Sequence, residues 1–244
     1  MMTRYCVWLD GLALHEIDPA IYITDIQEQP AQMNVQTVPR ANGDGLFVAR
    51  RNRDSISVLV KLAIREYDVA LRKGIMQKIV TWARAGKYLS INDRPGQRLR
   101  VTVDTMPTIT SALKWTQELS IVFTAYALPY WENEEPETLT TSGTASMVVP
   151  GDAERALVDV TIVPTGNTVT VSAGNTSITL NGVSDVVEIS HGDDGILRIV
   201  SQGESILSKR TPESTDDLLA VPGQENAFAA SGCVATFRVR GVWA

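Results

Sequence analysis

The chain has 244 residues, 44% of them hydrophobic and 20% charged, with a formal net charge of −6. Those proportions are globular and exclude wholesale disorder, and every apolar run is far shorter than the ~18–20 residues a membrane helix needs. After Met1–Arg4 the chain reaches Asp10 before any apolar stretch develops, which predicts a soluble protein without a leader segment.

Cysteine and histidine are scarce: Cys6 and Cys233 lie near opposite ends, and the histidines are His15 and His191. No CxxC or HxxxH spacing joins them, so neither a disulfide framework nor a metal centre is expected. Two reduced thiols are the simplest reading, although spacing alone leaves a single bridge between the termini open. Through Pro136 there are 16 Lys and Arg against 15 Asp and Glu; from Glu137 onward there are 6 against 13. The shift falls in the acidic stretch Trp131–Thr141 (WENEEPETLTT), which bears Pro136 and shows no hydrophobic period. Such a segment predicts a linker between two domains, 1–136 and 137–244. Neither part has the clustered basic excess of a nucleic-acid footprint.

In the first part, Tyr5–Leu9, Ile21–Gln27 and Gln32–Val38 are rich in β-formers and separated by Asp10-Gly11 and Pro30. Pro39–Gly45 (PRANGDG) carries Asn-Gly and Asp-Gly in tandem, a loop signal because both pairs tolerate positive φ. The next pair of strands is Leu46–Arg53 and Ser55–Glu66, the second alternating Ile56, Val58, Val60, Leu62 and Ile64 with mostly polar neighbours. One helix is predicted from Asp68, as N-cap, to Gly86, with Val69, Arg72, Ile75, Met76, Ile79, Val80, Trp82 and Ala83 on one stripe. Strands return at Tyr88–Ile91, Gln97–Thr105 and Trp115–Ala127, the first two joined by the turn Asn92–Gly96. The expected fold is a mainly antiparallel α+β domain, split-barrel-like, with one helix.

The second part offers no convincing helix. Strands are expected at Thr138–Met147, Ala156–Val163, Thr168–Ala173, Thr176–Asn181, Val186–Ser190, Ile196–Gln202 and Cys233–Arg240, with Gly/Asn turns between them. Short strands at this spacing predict a β-sandwich of jelly-roll or lectin type, with Gly203–Phe228 as a long excursion before the last strand.

No residue set makes a catalytic or cofactor site. His191-Gly-Asp-Asp-Gly195 lacks the alternating oxygens and terminal Glu of a Ca²⁺ loop and reads as a hairpin turn. Asp216-Asp217 reads as a solvated loop or a cap, and Glu132, Glu134 and Glu135 as linker carboxylates with no burial to separate their proton affinities. There is no GxSxG, P-loop or GxGxxG after a strand. Arg50, Arg51 and Arg53 are the one dense basic cluster; beside a loop tip and without an aromatic platform, they are candidates for a subunit contact, together with Asn42 and Asp44.

The stretch Glu118–Glu132 (ELSIVFTAYALPYWE) is a strand ending in F-x-A, followed by Pro-Tyr-aromatic. It resembles the end of the N-terminal domain in the distal tail (Dit) proteins of siphophages. The Asn42–Gly45 loop ahead of two long strands, and a single helix ending in Trp82, are similar to the same pattern. So is the closing run Asp217-Leu-Leu219, Pro222-Gly-Gln-Glu-Asn226 and Arg240-Gly-Val-Trp243. The resemblance implies a non-enzymatic ring, usually a hexamer, built by the N-terminal domain at the end of the tail tube, with a galectin-like C-terminal sandwich. It implies the chain itself as first partner, then the tail tube protein, the tail-tip hub or tail-associated lysin, and a receptor-binding protein. It places the protein at the virion tail tip, assembled in the host cytoplasm; the residue content itself leads us to expect no cofactor, membrane or nucleic-acid contact. Two other readings stand beside it: a carbohydrate-binding lectin-like module, which the few aromatics Phe228, Phe237 and Trp243 disfavour, and the hub of a related contractile injection machine.

Overall fold

The computed structural model describes residues 5–41, 44–103, 107–112 and 115–244, with the side chains of Arg51 and of residues 108–112 left aside. The chain divides into two compact units, Met1–Trp131 and Glu132–Ala244.

The first unit runs β1 (Val7–Leu9), β2 (Leu12–Ala13), α1 (Leu14–Ile17), β3 (Ile21–Gln29), β4 (Met33–Pro39), β5 (Leu46–Arg53), β6 (Ile56–Arg65), α2 (Val69–Ala85), β7 (Tyr88–Ile91), β8 (Gln97–Arg100), β9 (Thr102–Val103), β10 (Thr108–Ala112) and β11 (Thr116–Ala125). Its strands form an open sheet in the order β10-β11-β6-β3 with β9 also on β11, a smaller sheet β2-β1-β7-β8, and a separate hairpin β4-β5. The ten-residue strands β6 and β11 pair from Ile56↔Ala125 to Arg65↔Thr116, so the period-two pattern places Ile56, Val58, Val60, Leu62 and Ile64 on the buried face. The sequence expectation of β with one long helix holds. The four-residue α1 is an addition that no 3.6-residue period could announce.

Asp68 caps α2 as expected, its carboxylate accepting from the N–H of Ala70 at 2.6 Å and of Leu71 at 3.3 Å. The inward stripe is Arg72, Ile75, Ile79, Trp82 and Ala83. Val69, expected on that stripe, is 57% exposed because it lies in the first turn, ahead of the packed face. Gly86 closes the helix at φ −91°, not in the left-handed region; a Cβ there would lie 2.0 Å from Leu9 Cγ, so close packing is what requires glycine.

Gln97–Thr105, expected as one strand, is divided. β8 pairs with β7, Val101 donates its N–H to Lys87 C=O at 2.8 Å, and β9 then pairs with β11 in the other sheet. The alternation Leu99-Val101-Val103 survives the change of sheet, so the pattern alone could not show it.

β12 (Trp131–Asn133) carries the chain across the division between the units. The second unit continues with β13 (Glu137–Thr141), β14 (Thr144–Val148), β15 (Ala156–Pro164), β16 (Thr168–Ala173), β17 (Thr176–Asn181), β18 (Val187–His191), β19 (Leu197–Ser201), β20 (Glu204–Ser205), a 3₁₀ turn at Leu207–Lys209, β21 (Leu219–Ala220), β22 (Glu225–Ser231), β23 (Cys233–Val239) and β24 (Val242–Trp243). It is a sandwich of one sheet β13-β23-β15-β18-β19-β20, with β21 on β15, and a second sheet β14-β22-β16-β17. Phe228 of β22 and Phe237 of β23 meet across it with ring centroids 5.1 Å apart, among Val158, Val160, Ile162, Val171, Ile178, Leu180, Val187 and Ile189.

Three expectations for this region are corrected. Trp131–Thr141 is not an unstructured linker: strands occupy both its ends, Trp131 is 1% exposed and Glu132 is 7% exposed. Thr138–Met147 is two strands that enter opposite sheets, turning at Ser142-Gly143. The excursion Gly203–Phe228 ends inside β22, whose buried set Asn226, Phe228 and Ala230 contains a polar and a small residue and so gives little hydrophobic contrast. Among the described residues, no helix is long and apolar enough to cross a membrane.

Candidate subunit interface

Arg50, Arg51 and Arg53 all lie on β5, which pairs with β4 in a two-stranded sheet of its own. The register runs from Met33↔Arg53 to Pro39↔Leu46 and slips between Gln36↔Arg50 and Thr37↔Val48, which leaves Ala49 as the extra residue of a bulge. At the base, Asp54 N–H donates to Gln32 C=O at 2.8 Å. At the tip, Arg40 N–H donates to Gly45 C=O at 3.4 Å, and Gly45 adopts φ 101°, a conformation that glycine accepts without strain. Seven to eight residues per strand give an arm about 25 Å long.

The arginines pair with residues Met33–Gln36, toward the base and not beside the loop tip where their sequence position had suggested. Arg50 is exposed; Arg53 is half-buried, its Cζ 5.5 Å from the centroid of the Tyr130 ring, and its buried Nε has no hydrogen-bond partner. Asp44 is exposed near the tip, and Asn42 lies outside the described residues. The arm therefore gathers Arg50, Arg51, Arg53 and Asp44 on one element.

Sequence reasoning passed over the apolar content of the same arm. Val35, Val38, Leu46, Phe47 and Val48 are 44%, 51%, 58%, 56% and 61% exposed, and the Arg40 guanidinium lies 4.7 Å over the Phe47 ring. Phe47 and Val48 are neighbours on one strand, so their side chains leave opposite faces and both faces carry uncovered apolar surface. The signal was present in the two β-rich segments flanking Pro39–Gly45, but nothing local says that no sheet covers them. An isolated two-stranded hairpin is marginal in water, and unshielded apolar strands are what natural proteins otherwise avoid on free edges.

The histidine and acidic motifs go elsewhere. His191 ends β18, and the following GDDG forms a turn closed by Gly195 N–H on Gly192 C=O at 2.9 Å. The His191 side chain is buried; Nδ1 lies 3.0 Å from Asp159 Oδ1, and Nε2, 3.6 Å from Asp217 Oδ1, has no hydrogen-bond partner. Asp216, itself fully exposed, instead pairs at 3.0 Å with Arg210, whose side chain is 21% exposed. Among the described residues no group of three or more His, Cys, Asp or Glu is placed to hold a metal ion.

No protein-family model matches the chain, and no curated protein matches it by sequence. By structure it has the fold of phage tail-tip hub proteins. It is similar to the crystal structure of SPP1 Dit (gp 19.1), described as a paradigm of the hub adsorption apparatus in phages infecting Gram-positive bacteria, with a TM-score of 0.70, 10% identity, and coverage of 97% of this chain and 98% of that one. It is also similar to a chain of the phage P2 baseplate in its activated conformation with Ca (TM-score 0.55, 11% identity, 98% of each chain). The same baseplate with Sr gives a TM-score of 0.55 at 12% identity over 97% of each chain. The likeness is one of fold, and it spans both units.

Proposed function

We propose that this chain is a non-catalytic, ring-forming subunit of a phage tail tip, with a hexamer as the expected ring. In this reading residues 1–136 form the ring-building domain and 137–244 a sandwich domain. The assembly joins the tail tube protein to the tail-tip hub or tail-associated lysin, and to a receptor-binding protein, at the virion tail tip after assembly in the host cytoplasm. The full-length likeness to tail-tip hub proteins supports the setting.

The observation that carries the ring is the β4-β5 arm, whose apolar residues Val35, Val38, Leu46, Phe47 and Val48 stand exposed on both faces. Contiguous exposed apolar surface marks an interaction site, and an arm received by a different patch on the next copy makes a head-to-tail contact, the kind that closes into rings. The test is light scattering after size-exclusion chromatography, with negative-stain imaging. The full chain is expected to give closed rings of uniform copy number, and a variant with 33–53 replaced by a short turn between Gln32 and Asp54 is expected to be a folded monomer. A full-length chain that stays monomeric at all concentrations overturns the reading.

A further inference from the structure

The second unit holds a polar cleft that ring formation does not use. After β17 the chain turns at Gly182 and runs through 183–186 into β18; buried Val183 fixes this segment with its N–H on Asn167 C=O at 3.3 Å. A second wall is the hairpin from β19 to β20. Gln202 and Gly203 form its turn at φ 51° and 84°, the left-handed pair a two-residue loop requires, and Ser201 pairs with Glu204 across it. The third wall is Ile206, whose N–H donates to Ile199 C=O at 2.9 Å, with the 3₁₀ turn that ends at Lys209. Two side chains tie the walls together: Ser201 Oγ donates to Val186 C=O at 2.9 Å, and Lys209 Nζ donates to Gly182 C=O. The space they enclose is about 270 Å³ and is preformed.

We propose that this cleft takes an arginine side chain presented by a partner protein. The lining offers the carboxylates of Asp185 and Glu204, the Gln202 amide and the hydroxyls of Ser184 and Ser201. Asp185 accepts from the Ser184 hydroxyl at 3.1 Å, and among the described residues neither carboxylate has an ion-pair partner. The one ammonium of the lining, on Lys209, is committed to Gly182 C=O. An anion would therefore meet net negative charge, and a pyranose would find no aromatic ring among the lining residues to stack on. A cation is complementary, and the whole unit draws one in, with 6 Lys and Arg against 13 Asp and Glu from Glu137 onward. Acceptors set on separate walls suit the five donors of a guanidinium better than the three of a more strongly hydrated ammonium. Val186 and Leu207, beside the lining residues in sequence, are 49% and 48% exposed and give the arginine stem apolar contact.

The test is methyl NMR on the full chain labelled at Ile and Val, titrated with the peptide acetyl-Gly-Arg-Gly-amide. The Ile206 and Val183 methyl signals are expected to shift saturably, whereas a Gly-Glu-Gly peptide and a neutral hexose leave them in place. Asp185→Asn with Glu204→Gln should weaken arginine binding about tenfold with the other methyl signals unchanged, and added salt should weaken it in the parent chain. No saturable shift with the arginine peptide, or the same shift in the double variant, overturns the proposal. A lysine peptide that binds equally well overturns the guanidinium assignment, and a hexose that binds in its place makes the cleft a sugar site and overturns it too. The cleft lies wholly within the second unit, so none of these results bears on ring formation.

Discussion

The indole N–H of Trp82 donates to the backbone C=O of Leu12 at 3.0 Å, seventy residues earlier in the chain. The same ring stands edge-on to Phe123, with centroids 6.0 Å apart at 87°. One side chain thus ties α2 to the short strand β2 and to the long strand β11. Trp82→Phe keeps most of the apolar contact but leaves the Leu12 carbonyl without its donor, at a cost of about 1–3 kcal/mol; Trp82→Ala adds a cavity and should cost about 3–5 kcal/mol. Urea unfolding checks this. The first unit's transition should move to lower urea in the order wild type, Phe, Ala, while the second unit's transition stays in place.

Asn226 shows what one position of the closing sequence run does physically. It is 4% exposed, accepts from Val221 N–H at 2.8 Å, and donates to Val221 C=O and Gln224 C=O, each at 2.9 Å. The amide closes the Pro222–Glu225 turn, and no other side chain offers a donor and an acceptor in that shape. Asn226→Asp removes both donors and sets a carboxylate against two carbonyls, so it should destabilise the second unit more than Asn226→Ala. The alanine loss is expected at about 1–3 kcal/mol. Thermal unfolding of the two variants at pH 7 measures the order, and equal losses would contradict the turn-closing role.

These two residues also mark what the sequence could and could not disclose. Trp82 on its stripe, the Asp68 cap and the alternation of β6 are local patterns and were legible. The Leu12 partner was not, because it depends on a pairing seventy residues away. The same limit explains β5: its strand character was readable, but its partner β4 and its lack of any covering sheet are tertiary facts. Charge density drew attention to Arg50, Arg51 and Arg53, while Val35, Leu46 and Phe47 beside them read as ordinary strand residues. Trp131–Thr141 misled for the opposite reason: its charge and proline mimic a loop, although Trp131 and Glu132 are buried.

Acid should weaken both units through identifiable carboxylates. The Lys61 ammonium, 3.1 Å from Asp25, and then the Gln27 amide at 2.7 Å hold the Asp25 carboxyl below its ordinary value of 3.8. In the second unit, the Ile196 N–H at 3.1 Å, with Arg198 in support, holds Asp194 below the same value. A carboxyl with a lower proton affinity folded than unfolded adds stability above the ordinary carboxylate range, and that stability disappears as pH falls through the folded value. Unfolding midpoints followed from about pH 6 to about pH 2 should therefore fall on acidification, chiefly below about pH 4. Asp25→Asn and Asp194→Asn should each flatten part of that slope, and unchanged slopes in both would refute the assignment. Both groups are at the surface, so added salt should reduce the effect.

The two cysteines give each unit its own reporter. Both thiols are free: Cys6 is partly exposed in the first unit, and Cys233 is buried at the start of β23, opposite Pro164. Burial pushes the Cys233 thiol up, away from the reactive thiolate. A disulfide reagent at about pH 8, near the ordinary thiol value, should label the native chain in two phases, a fast one at Cys6 and a much slower one at Cys233. Cys6→Ser should abolish the fast phase alone. The slow rate should rise with urea in step with unfolding of the second unit, because the sulfur is reached only when β23 leaves the sandwich. Two equal fast phases in native buffer would show that the Cys233 environment is open, against the packing seen around it.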